Sequence, residues 1–197
     1  MILSLKNITK KFGDRVILDR LSLEIPDSGI VALRGDSGAG KTTLLRIICR
    51  LDKNFDGEIQ GSKDLCFAFV FQEYRLFDNL TALENIVEVI RKKPDASDRK
   101  RALDMLLRLG FTESQTAQYP RELSGGMKQR VSVARALLSD ADVLLFDEPT
   151  KELDEALVST VLELIAKDSE TRPSVLVTHR EKDLESLAEH IKLTVTL

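Results

Sequence analysis

The chain has 197 residues, a formal net charge of -3, 43% hydrophobic residues and 31% charged residues. This length is enough for one domain with a sizeable core, and the composition is typical of a globular protein. A charge so close to zero gives no bulk electrostatic attraction to DNA or RNA, so we expect no nucleic-acid partner. The longest apolar run, residues 65–71, is far below the ~18 residues of a membrane-spanning helix. If the protein works at a membrane, another chain must supply the spans.

The N-terminus and the cysteines indicate a protein of a reducing compartment. Residues 1–10 lack the positive start and long apolar stretch of a signal peptide. Cys49 and Cys66 have no metal-ligand spacing, and two cysteines are too few for a disulfide framework. Each lies in an apolar segment, so we expect both to be small core residues.

The first third of the chain is predicted to consist mainly of strands. Residues 16–25 alternate between apolar and polar side chains and end at turn residues, and 29–33 form a short apolar run typical of a buried parallel strand. The predicted elements are strands at 2–8, 16–25, 29–33 and 67–71, and a helix at 43–51.

The middle of the chain is predicted to be a helical insert, at about 78–138. Thr81 and Glu84 form a capping box that opens a helix towards Arg91. A second helix spans 97–109, with Leu103, Leu106 and Leu107 on one face and Gly110 as its stop. A third runs from a Ser124 cap to residue 138.

In the last third, strands alternate with helices. We predict strands at 143–146, 175–178 and 191–196, and helices at 155–166, with residues 157, 161, 164 and 165 facing the core, and at 181–189. Such alternation predicts an α/β fold whose mostly parallel sheet is covered on both faces. We expect residues 1–197 to form a single domain, with the insert as a helical subdomain.

A glycine-rich motif follows the strand at 29–33 and opens the first predicted helix. Glycines let backbone N–H groups close around a phosphate, and a helix N-terminus favours anions. Lys41 would reach the β- and γ-phosphates, and the Thr42 hydroxyl would bind Mg²⁺. Alone, the motif predicts an NTPase or kinase; the alternative is a chance glycine-rich turn. The predicted nucleotide-binding residues are Gly35, Asp36, Ser37, Gly38, Ala39, Gly40, Lys41, Thr42 and Thr43.

The apolar strand at 143–146 ends in two carboxylates, Asp147 and Glu148. The carboxyl ends of parallel strands face the ligand crevice in α/β sheets. We therefore expect Asp147 to hold Mg²⁺ through water and Glu148 to be the base that polarises the attacking water. The alternative is an ordinary solvated strand end.

One segment resembles the signature of ATP-binding cassette proteins, and it reads Leu123-Ser124-Gly125-Gly126-Met127-Lys128-Gln129-Arg130. Its chemistry suits an anion, because Ser124 can cap a helix whose first N–H groups are left accessible by two glycines. Ser124, Gly125 and Gly126 are therefore predicted to bind nucleotide. The segment Tyr119-Pro120-Arg121-Glu122 before it also looks like this family.

The resemblance implies roles for three further residues. Gln72 follows the strand at 67–71, where the family has a glutamine that senses Mg²⁺ and the attacking water. His179 follows the strand at 175–178, where the family has a histidine near the γ-phosphate. Phe12 stands where the family stacks an aromatic ring on adenine. The alternatives are a structural histidine and a core phenylalanine on an edge strand.

The resemblance also implies the fold, the cofactors and the partners. It implies a P-loop NTPase fold with N-terminal antiparallel β strands, and an ATPase that uses ATP and Mg²⁺. The family joins two cassettes head to tail, so a homodimer docked on integral membrane permease subunits is expected at the cytoplasmic face of the cell membrane. The runs 71–77 and 79–81 look most like bacterial importers, including those for nitrate, sulfonate or taurine-type anions, although lipid, lipoprotein and peptide exporters share much of this region.

The sequence departs from the family pattern after the acidic strand. Lys151-Glu152-Leu153-Asp154 stands where the family usually has Ser-Ala-Leu-Asp. Two charged residues at a segment that meets the other subunit predict altered dimer closure or a different partner. With few residues after His179, we expect no further regulatory domain.

Two other functional classes also use a phosphate-binding loop of this kind. A soluble cassette acting on nucleic acid or ribosomes usually carries a long coiled-coil insert or a second cassette, and neither is found here. An unrelated P-loop kinase would lack the signature. The transported substrate, the direction of transport and the choice between homo- and heterodimer stay open.

Overall fold

A computed structural model describes residues 1–61, 63–90 and 93–197. Its strands are β1 Leu3–Phe12, β2 Arg15–Ile25, β3 Gly29–Arg34, β4 Asp56–Gly61, β5 Phe67–Val70, β6 Val143–Asp147, β7 Pro173–Val177 and β8 Ile191–Thr196. Its helices are α1 Lys41–Ile48, α2 Ala82–Ile90, α3 Ala96–Arg108, α4 Glu113–Thr116, α5 Gly125–Leu137, α6 Glu155–Ser169 and α7 Glu181–Ser186, with a 3₁₀ turn at Pro120–Glu122.

A five-stranded parallel sheet in the order β5-β6-β7-β3-β8 is the centre of the fold. Strands β6 and β7 are buried along their whole length, because apolar layers cover both faces. Leu144 and Phe146 face the layer that includes α2, α3, α5 and α6. Val143 and Leu145 face the layer that includes α1, β1 and β2. The predicted mostly parallel α/β sheet is confirmed, and its carboxyl edge carries the acidic pair.

The N-terminal strands form a separate antiparallel sheet in the order β2-β1-β4. Leu3 pairs with Ile25 on one side and with Gly61 on the other. The predicted antiparallel strands are therefore confirmed. Strand β4 was not predicted, because Ile59 is its only apolar residue and its pairing depends on β1 rather than on its own pattern.

Helices α2 to α5 follow one another between β5 and β6, in the region predicted to be helical. Helix α2 begins after Thr81, whose backbone N–H donates to the Glu84 carboxylate at 2.9 Å, as the capping box predicts. Its predicted end, Arg91, lies outside the described residues. Helix α3 begins one residue earlier than expected, because Asp95 caps it through two backbone N–H groups. Leu107 is exposed, so its predicted place on the buried face of α3 is wrong.

Three smaller expectations are also corrected. Cys66 is exposed rather than a core residue, and Cys49 is half-buried. Burial raises the pKa of the Cys49 thiol. On α6, Leu157 is half-buried, whereas the neighbouring Val158 is fully covered. Helix α7 ends at Ser186, because residues 187–190 turn tightly to bring the chain into β8. None of the described helices is long and apolar enough to span a bilayer.

Candidate nucleotide site

A cavity of about 240 Å³ lies at the carboxyl edge of the parallel sheet. Larger cavities exist elsewhere, including one of about 600 Å³ beside α6, so the side chains that line the cavity identify the site rather than its size. Its lining includes most residues predicted from the sequence, namely Phe12, Ser37, Gly38, Gly40, Lys41, Thr42, Thr43, Gln72, Asp147, Glu148 and His179. Gly35 and Asp36 line a second cavity that shares His179 with the first.

The loop between β3 and α1 is wrapped around the ammonium group of Lys41. Lys41 is only 7% exposed, and its Nζ donates to the carbonyl oxygens of Gly35 at 2.8 Å and Asp36 at 2.7 Å. Gly40 has a φ of +98°, and a Cβ there would meet Ile17 Cγ2 at 2.6 Å, so this position requires glycine. The loop thus presents a buried cation and the N-terminus of α1 to the cavity, which together suit a phosphate.

Thr42 and Asp147 place two oxygen ligands side by side. The Thr42 hydroxyl donates to Asp147 Oδ2 at 2.6 Å. Burial raises the pKa of Asp147, and the hydrogen bond from Thr42 opposes part of this shift. A buried carboxylate with a raised pKa is stabilised by a bound cation, and hard oxygen donors are the ligands that Mg²⁺ prefers. The residues present therefore fit a magnesium ion.

Glu148 and His179 form a close pair. Glu148 Oε1 lies 3.1 Å from His179 Nε2, and Lys151 Nζ lies 3.9 Å from Glu148 Oε2. The Glu148 backbone has a φ of +54°, which a non-glycine residue rarely adopts. Its N–H donates to the Val177 carbonyl at 2.9 Å, so β7 helps to hold this conformation. A carboxylate and an imidazole ring thus meet at the cavity wall.

Gln72 and Phe12 lie at the rim of the cavity, and both side chains are exposed. Phe12 is 56% exposed at the end of β1, with Lys10 Nζ 5.0 Å from its ring centroid. The ring is therefore not part of the core, which was the alternative for this residue. An exposed aromatic face beside a phosphate loop is available to a nucleobase.

The signature residues do not line this cavity in the same chain. Ser124 caps α5 as predicted, and its Oγ accepts from the Met127 N–H at 3.3 Å. Ser124 is exposed. The exposed start of α5 is thus separate from the cavity at the start of α1.

Two contacts near the site were missed by sequence reasoning. Tyr74 donates its hydroxyl to Glu152 Oε2 at 2.7 Å, and burial together with this carboxylate raises the pKa of Tyr74 to about 12. The buried Gln129 amide donates to the carbonyls of Glu148 at 3.4 Å and Pro149 at 3.2 Å. Each pair joins positions far apart in the chain, and only the fold brings them together.

Comparisons with known proteins bear on this arrangement. The family model described as ABC transporter matches residues 18–151, which is more than half of the chain. The chain belongs to the ABC transporter family. It carries the ATP-binding and ATP-hydrolysing cassette of that family.

Similar curated proteins are ATP-binding subunits. The chain is 38% identical to the L-cystine transport system ATP-binding protein TcyN of Escherichia coli (strain K12), over 95% of the chain and 84% of that protein. It is 40% identical to the probable sulfate/thiosulfate import ATP-binding protein CysA of Chlorella vulgaris, over 98% of the chain and 87% of that protein.

A solved structure of a related cassette matches the fold along the whole chain. It is the dimeric post-hydrolysis state of an ATP-binding cassette bound to ADP and Pi, with a TM-score of 0.84 and 34% identity, over 100% of this chain and 94% of that one. The predicted cassette fold and ATPase activity are thus confirmed.

Proposed function

We propose that the chain is the energising subunit of an importer at the cytoplasmic face of the cell membrane. The observation that carries this proposal is the meeting of Lys41, Thr42, Asp147, Glu148 and His179 around one cavity. Import is favoured by the relatives, which include cystine, amino-acid and sulfate/thiosulfate import proteins. Their cargoes differ, so the cassette itself does not define a substrate.

ATP would bind with its phosphates on the loop around Lys41 and its adenine on Phe12. Lys41 Nζ already lies among the loop carbonyls, so it contacts phosphate oxygens without a large rearrangement. Thr42, Asp147 and Gln72 would hold Mg²⁺. When bound, this ion screens the negative charge of the phosphates.

Hydrolysis would depend on Glu148 and His179. Glu148 accepts a hydrogen bond from the attacking water and aligns it with the γ-phosphate. His179 lies 3.1 Å from the same carboxylate, and it can orient Glu148 or contact the γ-phosphate. Asp147 is hydrogen-bonded to Thr42 and is therefore less free to act as the base.

Two chains would assemble head to tail. Ser124, Gly125 and Gly126 do not line the cavity of their own chain, so the exposed start of α5 is available to the nucleotide of a second chain. This arrangement uses both anion sites for each ATP. It supports a homodimer on two permease subunits.

The permease would dock on a groove of about 570 Å³ beside the segment that follows Gln72. Arg75, Arg121 and Lys128 line this groove together with one acidic residue, Asp78, so its lining is positive on balance. Phe77, 49% exposed, lies next to it in sequence. Arginine and exposed aromatic residues are common anchors of protein interfaces. Tyr74 is only half-exposed, and its hydroxyl already donates to Glu152, so it offers less to a partner than a fully exposed tyrosine would.

Site-directed cross-linking tests the docking surface. A background with Cys49→Ser and Cys66→Ser removes both native thiols, and Phe77→Cys or Arg75→Cys then places a thiol at the groove. Cross-linking in native membranes is expected to capture an integral membrane protein from these positions. The matched control is Leu193→Cys, which is exposed on β8. Equal capture from position 193, or capture of ribosomal protein alone, contradicts the proposal.

A further inference from the structure

A buried carboxylate joins the two segments that carry Glu148 and His179. Asp183 is 1% exposed, and its Oδ2 accepts hydrogen bonds from Thr150 Oγ1 at 2.6 Å and from Thr178 Oγ1 at 3.0 Å. Both threonines are buried as well. Thr150 lies two positions after Glu148, and Thr178 immediately precedes His179. One carboxylate oxygen therefore bridges the loop after β6 and the loop after β7.

The bridge lies behind the Glu148–His179 pair rather than in it. Asp183 does not line the nucleotide cavity. A backbone bond from Glu148 N–H to the Val177 carbonyl also links the two segments where the paired strands β6 and β7 end. Glu148 is in an unfavourable left-handed conformation, so its position depends on contacts of this kind. The hydrogen bonds from Thr150 and Thr178 to Asp183 hold each segment at a second position, close to Glu148 in one segment and to His179 in the other.

The bonding of Asp183 argues against a role in stability alone. Its Oδ1 has no hydrogen-bond partner within the part of the chain that the structure describes, and the nearest cation, Arg180 Nε, is 3.4 Å away. A buried carboxylate with half of its acceptors unused stabilises a fold poorly compared with an apolar side chain. Short hydrogen bonds to an ionised acceptor do fix geometry well.

We propose that Asp183 is a positioning residue for ATP hydrolysis. Through its hydrogen bonds with Thr150 and Thr178, it fixes the position of Glu148 relative to His179. It does not contact ATP. This inference rests on the proposed roles of Glu148 and His179. Since the distance between a base and its target must be kept within a fraction of an ångström, loosening either segment lowers the rate of hydrolysis more than it lowers nucleotide affinity.

Matched substitutions at the threonines separate positioning from packing. Thr150→Val and Thr178→Val keep the side-chain shape and remove the hydroxyl, whereas Thr150→Ser and Thr178→Ser keep the hydroxyl and remove a buried methyl group. We expect kcat for MgATP to fall at least about tenfold in the valine variants and to stay within about twofold of wild type in the serine variants. The ATP dissociation constant should change by less than about twofold in all four.

Asp183→Asn and its combination with His179→Ala test whether the effect passes through the pair. We expect Asp183→Asn to lower kcat, and to lower it much less when His179→Ala is already present, because residues that act as a unit are not additive. Melting temperatures of every variant report on folding. The inference is overturned if serine and valine variants lose activity equally and in proportion to stability, or if the valine variants and Asp183→Asn keep wild-type kcat. If Glu148→Gln and His179→Ala themselves hydrolyse ATP at the wild-type rate, the proposed function of the site fails together with the inference.

Discussion

At the scale of single residues, the site positions that could be predicted are those that belong to one short sequence motif. Lys41 and Thr42 lie next to each other and contact the cavity as predicted, and Asp147 and Glu148 follow an apolar strand. The Tyr74–Glu152 and Thr150–Asp183 contacts could not be predicted in this way. Each joins positions whose distance depends on the tertiary fold, and an isolated Asp or Tyr carries no pattern.

The exposure of Phe12 leads to a prediction about adenine binding. Phe12→Ala is expected to weaken ATP binding severalfold, since aromatic stacking contributes about 0.5–1.5 kcal/mol. The melting temperature without nucleotide should hardly change, because the ring is 56% exposed. Isothermal titration with ATP and with ribose 5-triphosphate, which has no base, measures the effect, and only ATP should lose affinity.

Two variants serve as controls for this measurement. Val16→Ala alters an exposed apolar residue of the neighbouring strand that does not line the cavity, and it should bind ATP normally. Lys41→Ala removes the buried ammonium group and should abolish tight binding of both triphosphates. Unchanged affinity in Phe12→Ala would remove the ring from the adenine site.

At the scale of elements, the helices and strands that could be predicted are those with a clear hydrophobic or capping pattern in their own sequence. The strands β3, β6 and β7 are mostly apolar and mostly buried, and α3 and α5 begin at good caps. Strand β4 was missed because it forms only through its pairing with β1. The bounds of α7 were misjudged because the turn that brings the chain into β8 depends on the register of that strand beside β3.

The two adjacent glycines at the start of α5 are predicted to differ in how much stability they lose when replaced by alanine. A Cβ at Gly126 would lie 2.7 Å from the backbone carbonyl of Glu152, so Gly126→Ala forces the main chain to shift. A Cβ at Gly125 would meet the movable end of the Glu152 side chain and the Tyr74 hydroxyl. We expect Gly126→Ala to lower stability by about 1–3 kcal/mol and Gly125→Ala to lower it by less.

Removing the Glu152 side chain distinguishes the two glycines further. Glu152→Ala should relieve most of the cost of Gly125→Ala, because the colliding carboxylate is gone. It should not relieve Gly126→Ala, because the carbonyl of residue 152 remains. Chemical denaturation of the single and double variants provides the comparison. Equal rescue of both glycine variants would contradict the close contact between Gly126 and the main-chain carbonyl of Glu152.

At the scale of the whole molecule, the separation of the two proposed anion sites predicts that assembly depends on nucleotide. Glu148→Gln keeps the shape of the side chain and removes its charge, so it should bind ATP and hydrolyse it very slowly. Bound ATP would then persist between the loop around Lys41 and Ser124 of a second chain. Sedimentation should detect a dimer of this variant in MgATP and a monomer in ADP.

Wild-type protein without nucleotide is the control and should be mostly monomeric. A Glu148→Gln monomer that hydrolyses ATP at the wild-type rate would contradict the role of Glu148. A monomer that binds ATP without turnover would contradict self-association and indicate a different second subunit. Lys151→Ser and Glu152→Ala in the same background test whether the charged segment weakens closure.

The hydrogen bond between Tyr74 and Glu152 has a mechanical consequence. It joins the segment that follows Glu148 to the segment that follows Gln72, and both of these residues line the nucleotide cavity. If the permease docks on the groove beside Tyr74, as proposed, a displacement of Tyr74 would also pull on Glu152 and on the segment that carries Glu148. Tyr74 would then couple membrane contact to the nucleotide cavity, in both directions.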